Sequence, residues 1–277
     1  MWALAALLAA CEDGPNDETV VDELTVLAMV AQPPEVGPGE TLDLDVWVVD
    51  PAGAGVDLLV WACTPVGEQC AETAVLSAPL STWSRVWRGV SGPQRASFPI
   101  PVEAGLVIEP PAQTTSFFVW ALACAPGVCD LHRRVELAPP PGSPAWSSVV
   151  EELADPTSQL DGRPIEVAAL SVRRLVLSIR PPGERNLPPT LLRVGDEPLF
   201  AAPGEELVLA FQVTDATLVW PYATAGGFEY ARYAVSQGTA GMRWVAPDQP
   251  GPVELYVVAD DGLGGAAIWA GVAQVGL

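Results

Sequence analysis

Five cysteines and a single histidine are the residues best suited to metal or nucleophile chemistry. Cys63 and Cys70 are separated by six residues and Cys124 and Cys129 by four, and His132 stands three positions after Cys129. Thiolates and an imidazole at such density are workable zinc ligands. The same spacings suit two short disulfide loops in an oxidising compartment. Residue types alone leave metal, disulfides and free thiols all open. Nucleophilic catalysis has less to draw on. A serine or cysteine nucleophile needs a base, usually histidine. His132 is followed by Arg133 and Arg134, whose charges disfavour its protonated form, and it reads as a surface strand residue. All 13 basic residues are arginines, so Schiff-base lysines and phosphate-loop lysines are excluded, and no glycine-rich phosphate loop opens a helix.

Carboxylates number 34. Asp50, Asp215, Asp260 and Asp261 fall at turns, where aspartate ordinarily accepts hydrogen bonds from local backbone. Asp215, Asp260 and Asp261 are also candidate calcium ligands, because hard oxygens would converge if their strand ends share a pole. No complete D-x-D-x-D-G loop accompanies them, so no cofactor is required and calcium is the one the residues admit. A carboxylate-pair hydrolase would need two convergent acids in a cleft, and no spacing singles out such a pair. A sharper arrangement lies at 42–48. Leu42, Leu44, Val46 and Val48 alternate with Asp43, Asp45 and Trp47, which places two carboxylates and an indole in one outward row. A sugar ring can stack on such a row, which is a candidate ligand face unless a neighbouring element covers Trp47.

Those residues need strands to hold them. The chain has 277 residues, 49% of them hydrophobic, with 25 glycines and 29 prolines that punctuate short strands better than they sustain helices. Two stretches match without gaps: 38–50 and 203–215 both read PGE-x-L-x-L and end in V-x-D. Leu59-Val60-Trp61 and Leu218-Val219-Trp220 follow each of them, as a second strand ending in a core tryptophan. A repeated turn-strand-turn-strand unit argues for two related modules. In the second, strands are expected at 190–194, 205–214, 228–235, 240–245, 252–259 and 266–275, with a glycine hairpin at 261–265. In the first they are expected at 24–31, 41–49, 57–62, 96–101, 116–123, 131–137 and 171–179. Ser143-Pro144 opens a short helix over 143–153, inside an insertion at 138–163. Trp83 and Trp87, four apart, suggest a further helical turn within 71–90.

Asn186-Leu187-Pro188-Pro189, Pro203-Gly204-Glu205, Trp244-x-Ala246-Pro247 and Ala259-Asp260-Asp261-Gly262-Leu263-Gly264-Gly265 resemble the PKD-like and Ig-like modules of bacterial exported proteins. The fold expected is all-β: two Ig-like/PKD-like antiparallel β-sandwich modules in tandem, the first enlarged by a short helical insertion. Such a resemblance implies binding, spacing or presentation rather than catalysis.

The N-terminus supplies a compartment. Residues 2–10 are apolar, too short to span a bilayer and within the range of a signal-peptide core. The run ends Leu8-Ala9-Ala10-Cys11, which resembles the lipobox of bacterial lipoproteins, although no basic residue precedes it. The resemblance implies lipidation at Cys11, an anchor in the bilayer, and export to the periplasm or cell surface, with the outer membrane favoured because Glu12 follows the cysteine. Acidic, turn-rich residues 11–23 then read as a solvated tether. The full division is 1–10 signal segment, 11–23 tether, 24–180 first sandwich, 181–189 proline-rich linker and 190–277 second sandwich. In an Ig-like order Cys63 and Cys124 close adjacent antiparallel strands at opposite poles, too far apart to bond. In an oxidising compartment this leaves local disulfides Cys63–Cys70 and Cys124–Cys129.

The net charge of −21 repels nucleic acid, so none is expected as a partner. The expected protein is a lipid-anchored, non-enzymatic binding, adhesion or spacer component of the cell envelope whose partner is an envelope protein or glycan. A calcium- or carbohydrate-dependent adhesin and a carboxylate-pair hydrolase are the alternatives.

Overall fold

The computed structural model describes residues 17–63, 84–100, 108, 111–127, 159–160, 163–164 and 168–276. The first module contains β1 (Thr25–Gln32), β2 (Glu35–Val36), β3 (Thr41–Val49), β4 (Val56–Cys63), β5 (Ser84–Val90), β6 (Gln94–Pro99), β7 (Thr114–Cys124), β8 (Gln159–Leu160), β9 (Arg163–Pro164) and β10 (Ala168–Ser178). The second contains β11 (Thr190–Arg193), β12 (Leu199–Ala201), β13 (Glu206–Thr214), β14 (Leu218–Ala223), β15 (Gly227–Phe228), β16 (Tyr233–Ala234), β17 (Thr239–Val245), β18 (Gly251–Asp260) and β19 (Ala266–Val275).

The two modules have the same topology, strand for strand. One sheet runs β1-β3-β6 in the first and β11-β13-β17 in the second, where β15 adds an edge. The other runs β2-β10-β7-β4-β5 and β12-β19-β18-β14-β16. In both modules the first strand leaves one sheet and its continuation, β2 or β12, joins the other in parallel with the last strand. Inward residues of both sheets meet in a core inside each module. Leu42, Leu44 and Val46 of β3 face Val60, Val119 and Leu177 in one, and Leu209, Phe211 and Val213 of β13 face Val219, Leu255 and Val257 in the other. Two antiparallel sheets packed over a shared core are an Ig-like β-sandwich, and the chain is two of them in tandem.

The Pro-Gly-Glu repeat has a physical job. Gly39 and Gly204 have φ of 80° and 72°, a conformation that glycine adopts without steric cost. In each turn the glutamate N–H donates back across the turn, Glu40 to the Gly37 carbonyl and Glu205 to the Ala202 carbonyl. Its carboxylate then accepts from the opposite N–H, Gly37 at 2.8 Å and Ala202 at 2.6 Å. The next strand closes on the same residue, with the Ile100 and Ala246 N–H groups donating to the Glu40 and Glu205 carbonyls.

Several expectations change. The stretch expected as a helical turn is strand β5, with Trp87 opposite Leu58 and packed on the core. Residues four apart share a face in a helix and in a strand alike, so the spacing could not separate the two. Trp83 lies outside the described residues. The strand expected at 228–235 is two short pieces, β15 and β16, in different sheets. Val219 and Ala223, not Trp220, are core residues of β14, and the core tryptophan of the second module is Trp244. Part of the stretch expected as a tether, 11–23, is docked. Asp17–Thr19 form a 3₁₀ turn, the Val21 N–H donates to the Ala223 carbonyl at 2.8 Å, and Thr19 and Val21 are buried. Two valines and a threonine among the acids supply enough apolar surface to dock this segment on the second module. The helix at 143–153 and the strand at 131–137 fall outside the described residues; the end of the expected insertion carries the β8–β9 pair.

Substitutions at two turn glycines should separate strain from collision. Gly204→Ala meets open space near Asp248 and should cost about 1–2 kcal/mol from its left-handed backbone alone. In Gly226→Ala, with φ of 67°, the new methyl would press into the Val245 carbonyl oxygen, and the loss should be at least twice as large. Urea denaturation of both variants measures the difference.

Candidate functional site

Asp43, Asp45 and Trp47 do share the outward side of β3, but each has a partner. The Ser97 hydroxyl lies 2.6 Å from Asp43 Oδ1, and Arg95 on β6 forks onto both oxygens of Asp45 at 2.6 Å. Trp47 is half-buried against Tyr222 and Ile268 of the second module. Trp47 belongs to an apolar seam. Ala28 and Val30 of β1 meet Val258 and Ala266, while Val21 and Val49 meet Tyr256. Burial raises the Tyr222 hydroxyl above its ordinary value. It raises that of Tyr256 as well, where a 2.6 Å hydrogen bond to Glu254 adds to the effect.

A polar clasp runs along the same junction. Glu35 is 1% exposed. Arg180 donates to both its oxygens, Nε to Oε1 at 2.9 Å and Nη2 to Oε2 at 2.7 Å, and the Asn186 N–H donates to Oε2 at 2.9 Å. Burial pushes the Glu35 carboxyl up, but the Asn186 N–H, the Ser178 hydroxyl and the Arg180 guanidinium outweigh it and hold it below its ordinary value. Glu40 is held low chiefly by its hydrogen bond from Arg185 Nη1 at 2.5 Å. Arg185 Nε also donates to the Arg180 carbonyl at 2.7 Å. The proline-rich linker is thus fastened to the first module over its first six residues, 181–186.

The second module grips from the other side. Asn186 Nδ2 donates to Asp261 Oδ2 at 2.5 Å, and Arg173 Nη1 to Asp260 Oδ2 at 2.7 Å. Leu218 lies opposite Asp260, so the end of β18 and the turn after Asp215 share a pole, as the calcium reading required. The two neighbouring aspartates are committed elsewhere. Asp260 Oδ1 accepts from the Gly262 N–H, and Asp261 Oδ1 from those of Leu263 and Gly265. Among the described residues no three His, Cys, Asp or Glu side chains gather as a metal site.

Cys63 and Cys124 lie on the five-stranded sheet of the first module. Cys63 is opposite Phe118 and Cys124 opposite Asp57 on antiparallel β4 and β7. Those two positions are six residue steps apart along β7, about 20 Å at the rise of a strand, and a disulfide tolerates about 7 Å. Cys124 is disulfide-bonded, and its partner lies outside the described residues. Cys11, Cys70 and Cys129 fall there as well. Beside Cys124, the carboxylate of Asp57 gathers the pole by accepting from the Gly89 N–H at 3.0 Å and the Gly127 N–H at 2.9 Å. Sequence reasoning missed this aspartate, since its partners are 32 and 70 residues away.

A shallow groove of about 410 Å³ opens between β11 and β19, lined among others by Leu191, Arg193, Asp196, Glu197 and Trp269. The Trp269 ring packs edge-on to Phe211 at 5.2 Å, and the Arg193 guanidinium stands 6.0 Å from its centroid. Arg193 is also tied to the Glu197 carbonyl at 2.5 Å. Its walls mix apolar side chains with Arg193, Asp196 and Glu197, and no histidine or cysteine lines it.

No family model matches the sequence, nor does any curated protein. Among solved structures, the D0–D1 domain of intimin aligns over 90% of this chain and 98% of its own, at 12% identity and a TM-score of 0.25. Salmonella alpha-2-macroglobulin reacted with methylamine aligns over 92% of this chain and 16% of its own, at 14% identity and 0.26. Dimeric latent PorU from Porphyromonas gingivalis aligns over 92% and 24%, at 11% identity and 0.26. Likenesses this distant say nothing of what the chain binds; its Ig-like class rests on its own sheet order and cores.

Two sets of outcomes are expected. Trp47→Ala and Glu35→Gln should each weaken the junction by about 2 kcal/mol, splitting a single calorimetric transition into two. Glu35 and Glu40 are both held low in the folded state, so their contribution is complete above the ordinary carboxylate value and disappears as pH falls through the lowered ones. Coupling should therefore be constant near neutrality and fail below about pH 4, read as the same splitting in scans across pH.

Proposed function

We propose that this chain is an exported, lipid-anchored, non-enzymatic protein of the cell envelope whose paired sandwiches act as one stiff binding or spacer unit. The observation that supports the mechanical part is the junction. An apolar seam and a buried carboxylate clasp hold the two modules side by side, where a flexible linker would let them swing. A binding protein gains from such stiffness, since less conformational freedom is lost when its partner docks.

The anchor is read from Leu8-Ala9-Ala10-Cys11. With residues 1–10 removed, six residues run from Cys11 to the docked turn at Asp17, a reach of about 20 Å at full extension. Because that turn sits on the second module, the second module would stand nearest the bilayer. Acyl chains at one cysteine supply stable attachment, and the charge of −21 disfavours any additional hold on anionic headgroups. Local disulfides Cys63–Cys70 and Cys124–Cys129 belong to the same reading.

Replacing Cys11 with Ser should move the protein from the membrane to the soluble fraction of a bacterial host with both sandwiches folded. Retention of the Cys11→Ser protein in membranes overturns the anchor. Non-reducing peptide mapping should join Cys63 to Cys70 and Cys124 to Cys129; a peptide linking Cys124 to Cys70 would refute the local pairing.

A further inference from the structure

The duplication makes the surfaces of the two modules comparable position by position. Val30 lies opposite Asp45 on β1 and β3, and the Val194 N–H bonds the Ala210 carbonyl on β13, at the same place in the repeat. Ala28 opposite Trp47 corresponds likewise to Leu192 opposite Gln212. In the first module this face is covered, for Ala28 and Val30 are the residues that dock on the outer sheet of the second. In the second module it is open and more apolar: Leu192, Val194 and Val208 are 62%, 53% and 68% exposed. A row of aliphatic side chains at such exposure is unusual in so acidic a chain.

The linker dock is repeated as well. Glu40 receives Arg185, and its counterpart Glu205 keeps the same turn and the same backbone hydrogen bond. Glu205 is exposed, and among the described residues no cation pairs with it. Phe200 on β12 occupies the position that Glu35 holds on β2, and it is 65% exposed where Glu35 is covered.

We propose that the outer face of β11 and β13, with Phe200 and Glu205 beside it, is a docking surface for a third β-sandwich module. The contact would repeat the one inside this chain. The occupant offers an uncharged aromatic and aliphatic sheet face of the kind made here by Tyr222, Tyr256, Val258 and Ile268, and an arginine for Glu205. Heterologous contacts of this sort leave one complementary face unsatisfied at the end of every array. A second copy of this chain does not fit through its first module. Leu59 and Leu122, on the outward side of the equivalent sheet, are already buried at 5% and 0% exposure. The occupant is therefore a β-sandwich module other than the two described here, one whose outer sheet is free.

The test is to extend the full chain with a second copy of residues 181–277, which presents the required face at millimolar effective concentration. Carbene footprinting should show labelling of Leu192, Val194, Val208 and Phe200 falling several-fold relative to the unextended chain. Leu192→Glu with Val208→Glu should restore the labelling of Phe200. Unchanged labelling beside a folded third module overturns the proposal, as does protection that survives the double substitution. Should the added module fail to fold, an isotopically distinct full chain opened by Ala28→Glu and Val30→Glu serves as the probe at about 100 μM. The same loss of labelling on the native chain supports the docking surface, and its absence overturns it. None of these outcomes depends on the lipid anchor.

Discussion

The carboxylate of Glu35 is withdrawn almost completely from water, and a withdrawn charge is tolerable only when hydrogen bonds and a counter-charge replace its hydration. Here the replacement comes from the chain 145 to 151 residues later: a bidentate guanidinium from Arg180 and a backbone N–H from Asn186. Three consequences follow from that one satisfaction. The end of β10 is fixed beside β2, the linker leaves the first module in a set direction, and Asn186 is placed to reach Asp261 on the second. The apolar seam around Trp47 can then close, because the two sheets that form it already face each other.

The two modules divide their labour although they are built alike. Both use a left-handed glycine and a back-folded glutamate to start the third strand of the sandwich, and both move the first strand from one sheet to the other. The first module spends its outward β1–β3 face on the second. The second receives the N-terminal segment at Ala223 and Phe228, where Thr19 Oγ1 accepts from the Phe228 N–H at 2.9 Å. The chain therefore crosses the junction twice, once before β1 and once through the linker. Two crossings, a seam and a clasp make the pair a single mechanical body, which is the property a spacer or a binding platform needs.

Several carboxylates of the described residues are tied up by local partners. Asp45, Asp57, Asp260 and Asp261 are engaged by arginine or backbone N–H groups, and the phenols at the seam are driven up by burial, away from ionisation. These four aspartates shape turns and clasps.

What the sequence determined by itself is what local chemistry governs. Alternation places Leu42, Leu44 and Val46 inward, because side chains on a strand have a period of two. The Pro-Gly-Glu repeat reports a real duplication, because the turn it encodes is completed within four residues. The hairpin at 261–265 follows from glycines with positive φ and an aspartate that bonds its own backbone. The antiparallel placement of Cys63 and Cys124 came instead from the Ig-like order that the resemblance implied, and the β4–β7 pairing agrees with it. Tertiary structure alone decided where Trp47 goes, because an outward indole looks the same whether water or a second sheet covers it. It decided that Val20 and Val21 leave the acidic segment to dock, since a few apolar residues gain free energy only against a surface made by residues 200 positions away. It decided strand against helix around Trp87, where a spacing of four satisfies both periods and the free edge of β4 settles the choice. And it decided Glu35: no neighbour in sequence hints at burial, and the arginine that makes burial tolerable arrives only when the sandwich has closed.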